Sequence, residues 1–337
     1  MNSYRTQEPL IVFGATGMLA SELVFMNFVA RFTPTVVLHS TSETRLEGLK
    51  DELQESGFGN DEIRIYTTTE AQEACDFGGR LFFAKSVRAE RQTREEMLLV
   101  NAPMALEVAR AISKAQKEIT RVICVSNPSD LMGLMLLVHS GLHPDQVASL
   151  SALDTLRLRR SLTKRFGAKE SEMEEAFTLG SHDESMAPML HRLRVRGKSL
   201  EEHGYGQEDF QSLYKQVRKG GISIYKLRGH TAYQSPAVLG LQMLMASDEE
   251  PFSLPFGRYI HSDRYPHSFG SLSGVIDSRG ARHLETSVCA KDLHALNLAF
   301  GSIAYQRDLL IKEGFLPDPG TWRDELQRNE DLVKVQE

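Results

Sequence analysis

The stretch LIVFGATGMLA, residues 10–20, runs from a short apolar strand through two glycines into an apolar helix pattern. Gly14 permits a tight turn after the strand, and Gly17 lets the backbone approach a pyrophosphate at the N-terminus of the helix. Ala20 takes a third position that needs only a small residue for helix–strand packing. Glycines after a strand also make plain turns, but at the first strand of an alternating unit they favour dinucleotide binding.

Short apolar runs and helical patterns alternate outward from this turn to about residue 150. The runs that predict strands are residues 10–13, 35–39, 63–67, 81–84 and 121–125. The patterns that predict helices between them are residues 18–32, 45–55 and 94–115. Strands that alternate with helices predict βαβ units, and therefore an α/β fold with a doubly wound, parallel Rossmann sheet over residues 1–150.

The pattern changes after residue 150, where we place a domain boundary. The helices predicted beyond it are residues 155–166, 207–225 and 290–311. Strand-like stretches between residues 256 and 286 contain turn residues, which predicts antiparallel hairpins. Residues 151–330 are therefore expected to form an α+β substrate-binding and catalytic domain, and the charged tail after Trp322 is expected to fray.

The bulk composition is that of an ordinary globular protein, with 41% hydrophobic and 25% charged residues. A net charge of −6 argues against a nucleic-acid partner. Cys75, Cys124 and Cys289 lie far apart and fit neither a disulfide framework nor a zinc site, so no metal is expected. Residues 1–9 contain no apolar segment of the secretory type, and the apolar stretch 131–138 is too short to span a membrane, so we expect a cytoplasmic protein.

The end of the second predicted strand lacks the acidic residue that would bind the hydroxyls of an adenosine ribose. Ser40 stands there, followed by Thr41, Ser42 and Arg45. Hydroxyl groups and a cation would accommodate a 2′-phosphate, which favours NADP. Alternatively, this is a polar loop in which the missing carboxylate merely weakens the binding of NAD. The sequence leaves both open.

Asp154, Arg157 and His182 are candidates for the chemistry of a 2-oxo acid. A helix places Asp154 and Arg157 on one face, since they are three residues apart. Histidine suits proton transfer near neutral pH, and a carboxylate bonded to its far ring nitrogen fixes the tautomer. A guanidinium group forms a fork for a substrate carboxylate. Singly, each of these residues is more often an ordinary surface or packing residue.

Together these segments resemble the lactate/malate dehydrogenase family over nearly the whole chain. The segments that match in spacing and order are residues 10–20, 86–101, 125–132, 153–157, 180–186 and 224–237. The resemblance implies that His182 is the acid/base and that Asp154 is its partner. It also implies that Arg157 binds the C1 carboxylate and that Asn127 orients the substrate and the nicotinamide.

Arg88 and Arg94 lie in a polar stretch that resembles the family's mobile loop over the active site. By resemblance, Arg94 polarises the substrate carbonyl, and Arg88 binds the end of the substrate that is distant from the C1 carboxylate. An arginine at that position implies a second carboxylate, and hence oxaloacetate and malate. NAD as cofactor and a homodimer are also implied. The cofactor-binding residues implied are Gly14, Thr16, Gly17, Met18, Ser40, Asn101 and Asn127.

Three residues depart from the family pattern. Asp183 follows His182 where glycine is usual, so its carboxylate is expected either to raise the histidine pKa or to crowd the turn. Lys85 replaces a glycine that lets the backbone approach the cofactor, and Ser40 replaces the ribose-binding acid. Two alternatives therefore stand beside malate dehydrogenase activity: a reductase for another 2-oxo acid, and a catalytically impaired binding protein.

Overall fold

A mixed eight-stranded sheet organises the chain in the computed structural model, which describes residues 4–58, 62–87 and 93–336. The strands are β1 (Leu10–Phe13), β2 (Thr35–His39), β3 (Arg64–Thr68), β4 (Gly79–Phe83), β5 (Ile119–Cys124), β6 (Val147–Ser149), β7 (Met173–Glu174), β8 (Thr178–Leu179), β9 (Ala187–Pro188), β10 (Arg194–Val195), β11 (Lys198–Ser199), β12 (Phe256–Ile260), β13 (Ser268–Leu272), β14 (Gly274–Asp277), β15 (Gly280–His283), β16 (Thr286–Cys289) and β17 (Val333–Gln336). The α-helices are α1 (Met18–Val29), α2 (Glu43–Leu53), α3 (Ala71–Cys75), α4 (Arg94–Ser113), α5 (Ser129–Ser140), α6 (Ala152–Phe166), α7 (Gln207–Arg218), α8 (Gly220–Arg228), α9 (Gln234–Met245) and α10 (Ala290–Lys312).

The strand order in this sheet is β13-β12-β6-β5-β4-β1-β2-β3. The six strands from β6 to β3 are parallel, and the connections between them place helices on both faces. This confirms the predicted Rossmann fold. Strand β1 is buried on both faces, because Ile11 and Phe13 belong to one hydrophobic cluster and Leu10 and Val12 to the other. Burial on both faces explains why β1 is a continuous apolar run.

The sheet continues beyond residue 150. Strand β12 pairs antiparallel with β6 through Gly257 and Ser149, and β13 pairs antiparallel with β12. A Cβ on Gly257 would lie 2.0 Å from Ser149 Oγ, so this pairing requires glycine. The second half of the chain thus adds a hairpin to the sheet of the first half, and the division into residues 1–150 and 151–330 stays a prediction.

Two local predictions are wrong. The helix predicted over residues 207–225 is interrupted at Lys219, where α7 ends and α8 begins with Gly220. The tail after Trp322 does not fray, because β17 forms a parallel pair with β16 and buries Val333. A carboxylate of the same tail, Glu330, accepts a hydrogen bond from the buried Arg258.

Within the described residues, none of the helices has the length and apolar character needed to cross a membrane. The same part of the chain contains no group of three or more His, Cys, Asp or Glu side chains placed to bind a metal ion. The three cysteines are free thiols.

Candidate active site

The glycine turn joins β1 to α1 against the ends of the neighbouring strands. Gly14 has a φ of +80°, and a Cβ on it would lie 2.8 Å from the carbonyl oxygen of Ala84. The backbone amides of Gly14 and Ala15 both donate to the carbonyl oxygen of His39, at 3.0 Å. Gly17 is the N-cap of α1. The turn therefore needs glycine at position 14 both for its backbone conformation and for its close contact with β4.

A cavity of about 470 Å³ opens in front of this turn, at the N-terminus of α1. It lies at the carboxyl ends of β1, β2 and β4, where ligands bind in open parallel sheets. The predicted cofactor-binding residues that line it are Gly14, Thr16, Gly17, Met18, Ser40 and Asn127. Asn101 is not among the described lining residues. The cavity is thus suited to the pyrophosphate of a dinucleotide, because unpaired amides at a helix N-terminus attract anions.

The part of the cavity next to the end of β2 contains hydroxyl groups. Ser40 Oγ and Thr16 Oγ1 lie 2.9 Å apart in a hydrogen bond, and Thr41 and Ser42 line the same region. None of the described lining residues is acidic, and the exposed Arg45 is part of the lining. The residues in this part of the cavity are therefore compatible with both NAD and NADP.

Lys85 lines the cavity, and its ammonium group forms an ion pair with Glu107 of α4. Its Nζ lies 2.7 Å from Glu107 Oε2, and its side chain is only 11% exposed. The carbonyl oxygen of Lys85 accepts a hydrogen bond from Ser126 Oγ at 2.8 Å. Burial and the nearby Lys85 cation lower the pKa of His39 to about 4, so this imidazole is neutral at neutral pH. The lysine therefore contributes to a polar cluster next to the turn.

His182, Asp154 and Arg157 form a continuous chain of charge-assisted hydrogen bonds. His182 Nδ1 lies 2.6 Å from Asp154 Oδ2, and Arg157 Nη1 donates to Asp154 Oδ1 at 2.7 Å. Asp154 is 1% exposed, whereas the His182 side chain is 18% exposed. Helix α6 carries Asp154 in its first turn and Arg157 one turn later, on one face as their spacing predicts. The carboxylate thus fixes the orientation of the imidazole and of the guanidinium together.

The electrostatic environment favours the protonated form of His182. Burial alone would lower its pKa, but the carboxylates of Asp154 and Asp130 together outweigh burial and raise the pKa above its ordinary value. Asp130 accepts a hydrogen bond from the backbone amide of His182 at 2.8 Å and another from Ser149 Oγ at 2.9 Å. Burial raises the pKa of Asp130 to about 6. His182 is therefore bonded to a carboxylate through its ring and through its backbone.

A second cavity, of about 260 Å³, exposes this chain of residues. Three of the predicted substrate-binding residues, Arg94, Asn127 and Arg157, line it together with His182. Asn127 also lines the first cavity, so the two cavities adjoin at this residue. Asn101 supports the junction: its amide donates to the carbonyl oxygen of Asn127 at 2.8 Å and accepts from the amide of Val87 at 2.9 Å. Arg88 lies outside the described residues.

Asp183 does not crowd the turn through a positive φ, and its expected effect on the pKa of His182 stays a prediction. It is not among the residues with positive φ, and its carboxylate accepts hydrogen bonds from Ser181 and Ser185. Its other oxygen lies 3.3 Å from Arg94 Nη1. Burial opposes the charge of Asp183, but Arg94 and the serine hydroxyls lower its pKa below the ordinary value. The charge of Asp183 is therefore directed to Arg94.

Sequence reasoning missed three residues that shape the site. Asp130 lies in the matching segment 125–132, where only Asn127 was given a role. Gly220 and Gly221 begin α8 against Arg157, and a Cβ on Gly220 would lie 2.8 Å from Arg157 Cδ. Two consecutive glycines within a predicted helix were the available signal for a close contact.

The chain is similar in sequence to known malate dehydrogenases. The family profile described as "lactate/malate dehydrogenase, NAD binding domain" matches residues 9–149. A malate dehydrogenase of Chlorobium phaeobacteroides (strain BS1) is 30% identical over 215 residues, which cover 63% of this chain and 68% of the relative.

Solved structures share the fold over most of the chain. A malate dehydrogenase from Plasmodium falciparum superposes with a TM-score of 0.79 at 20% identity, over 90% of this chain and 98% of the other. A lactate dehydrogenase from a Medee basin deep-sea metagenome library gives a TM-score of 0.77 at 20% identity, over 90% and 99%. At such identities the superpositions establish the fold.

Proposed function

The chain belongs to the lactate/malate dehydrogenase family, and we propose that it is an oxidoreductase that interconverts oxaloacetate and malate by hydride transfer with NAD. The observation that carries this proposal is the chain of contacts His182–Asp154–Arg157 in a cavity that adjoins the dinucleotide cavity at Asn127. A proton donor and a carboxylate-binding group thereby stand next to the place where a nicotinamide ring would lie.

His182 is proposed to donate a proton to the ketone oxygen of the substrate. A bound reduced nicotinamide supplies the hydride for the adjoining carbon. Because Nδ1 is bonded to Asp154, the other ring nitrogen is the one left for the substrate. The raised pKa favours the protonated imidazole, which is the form that reduction of an oxo acid requires. In the oxidation of a hydroxy acid, the neutral imidazole would accept the same proton.

The arginines are proposed to act on different parts of the substrate. Arg157 would bind the C1 carboxylate, because Asp154 and the two glycines of α8 fix its position. Arg94 lines the same cavity and would stabilise negative charge that develops on the carbonyl oxygen. Arg88, by resemblance, would bind a second carboxylate, and the preference for oxaloacetate rests on that residue.

The residues present fit a nicotinamide dinucleotide, since the glycine turn and the N-terminus of α1 line the cavity and could bind a pyrophosphate. NAD is proposed as the cofactor because the matching family profile is described as an NAD-binding domain. NADP is a second candidate, favoured by Arg45 and by the absence of an acidic residue from the described lining. A cytoplasmic location and a homodimer are also proposed from the sequence. Light scattering would test the homodimer.

The decisive experiment measures oxaloacetate-dependent oxidation of NADH and NADPH side by side across pH 6 to 9. We expect turnover with oxaloacetate and a preference for NADH. Arg88→Gln, assayed with a panel of 2-oxo acids, is expected to lose activity selectively towards oxaloacetate. Failure to oxidise either cofactor with any 2-oxo acid would exclude dehydrogenase activity and leave the impaired binding protein as the better account.

A further inference from the structure

Asp183 is held firmly in the turn that follows the proposed acid/base. Its Oδ1 accepts hydrogen bonds from Ser181 Oγ at 2.7 Å and from the Ser185 amide at 2.6 Å, as well as from the Ser185 hydroxyl. The side chain is only 6% exposed. One oxygen of the carboxylate is therefore fully engaged within the turn, and this fixes where the other oxygen points.

The other oxygen, Oδ2, faces α10 and α4. Ser302 Oγ donates to it at 3.2 Å and Gln306 Nε2 at 3.4 Å, while Arg94 Nη1 lies 3.3 Å away. In the part of the chain that the structure describes, Asp183 is the only ion-pair partner of Arg94. Arg94 also lines the substrate cavity, so the carboxylate contacts it at the cavity wall.

The backbone of Arg94 is fixed near the same place. Arg94 is the first residue of α4, whose N-cap Thr93 forms a capping box with Glu96. Tyr305, on α10, donates to Glu95 Oε1 at 2.8 Å and ties the first turn of α4 to that helix. With both the helix start and the carboxylate fixed, the ion pair restricts the rotamers of the arginine side chain.

We propose that Asp183 is a positioning residue that holds Arg94 at the wall of the substrate cavity before substrate binds. The proposal rests on the proposed function, in which Arg94 stabilises charge on the carbonyl oxygen. The Arg94–Asp183 ion pair is expected to contribute little to the free energy of unfolding, because the Arg94 side chain is 43% exposed and solvent screens such pairs. An ordered guanidinium, however, lowers the entropy that must be lost on reaching the transition state.

The test is a double-mutant cycle in steady-state reduction of oxaloacetate by the full-length protein. Asp183→Asn is expected to lower kcat about tenfold and to change KM much less, because the contact matters in the transition state. In an Arg94→Gln background the same substitution should change kcat by less than about twofold, since its target is gone. If Asp183→Asn does not fold, Asp183→Gly replaces it in the cycle.

Asp209→Asn is the matched control, because it removes an equal charge from an exposed ion pair with Arg165, and neither residue is among the described residues that line the substrate cavity. It should leave kcat and KM near those of the unmodified protein. An equal loss from Asp183→Asn in both backgrounds, or no loss in either, would overturn the positioning role while oxaloacetate reduction stood. An unmodified protein that reduces no 2-oxo acid would instead overturn the proposed function, and the positioning role with it.

Discussion

The substrate cavity and the cofactor cavity depart from the family pattern to different degrees. The substrate side keeps Asp154, Arg157 and His182 in direct contact, with separations of 2.6 and 2.7 Å. The substrate side departs from the family pattern at Asp183, whereas the cofactor side departs at both Lys85 and Ser40. The reaction needs particular side-chain atoms, whereas a dinucleotide is bound largely by backbone amides, helix ends and the shape of a turn. Side chains can therefore change more freely on the cofactor side.

The largest effect should come from Asp154→Asn, because Asp154 contacts both His182 and Arg157 in the substrate cavity. Loss of the carboxylate frees the imidazole and the Arg157 guanidinium together, and we expect kcat to fall about 10³-fold. The native carboxylate raises the pKa of His182 against the effect of burial. Since reduction of the oxo acid needs protonated His182, its rate falls as pH rises through that pKa, and in the variant this fall should move to lower pH.

A pH–rate profile of kcat/KM measures this shift. Asp209→Asn is the control, because it removes a carboxylate from an exposed ion pair with Arg165, on the same helix as Asp154. It should change kcat by less than about twofold. If Asp154→Asn lowered kcat without moving the profile, the carboxylate would be orienting the ring and not setting its pKa.

Features that depend on the local sequence could be predicted, whereas features that depend on contacts between distant elements could not. The strands were predictable because burial on both faces gives continuous apolar runs, as in β1 and β2. The contact of Asp154 with Arg157 was predictable from helical spacing. The break before Gly220 and the contact of Asp183 with Arg94 were not, because each depends on an element distant in sequence. In both cases, tertiary contacts determine the local structure.

Gly14→Ala tests whether backbone geometry dominates on the cofactor side. The substitution combines a positive φ with a Cβ 2.8 Å from the carbonyl oxygen of Ala84, so we expect a loss of about 3 kcal/mol in the free energy of unfolding. Gly141→Ala is the matched control, since Gly141 has a φ of +83° with no atom within 4 Å of its built Cβ. It should lose about 1 kcal/mol. Urea unfolding measures both, and equal losses would show that contact with β4 is unimportant.

Ser40→Asp should have the smallest effect and bears most directly on the cofactor. A carboxylate at this position would accept hydrogen bonds from ribose hydroxyls and repel a 2′-phosphate. We expect the ratio of kcat/KM for NADH to that for NADPH to rise about tenfold, equivalent to about 1.4 kcal/mol. Ser40→Asn has nearly the same size without the charge, and should shift the ratio much less. If both variants shifted it equally, loss of the Ser40–Thr16 hydrogen bond would be the cause, and the acid missing from this strand end would not determine the choice of cofactor.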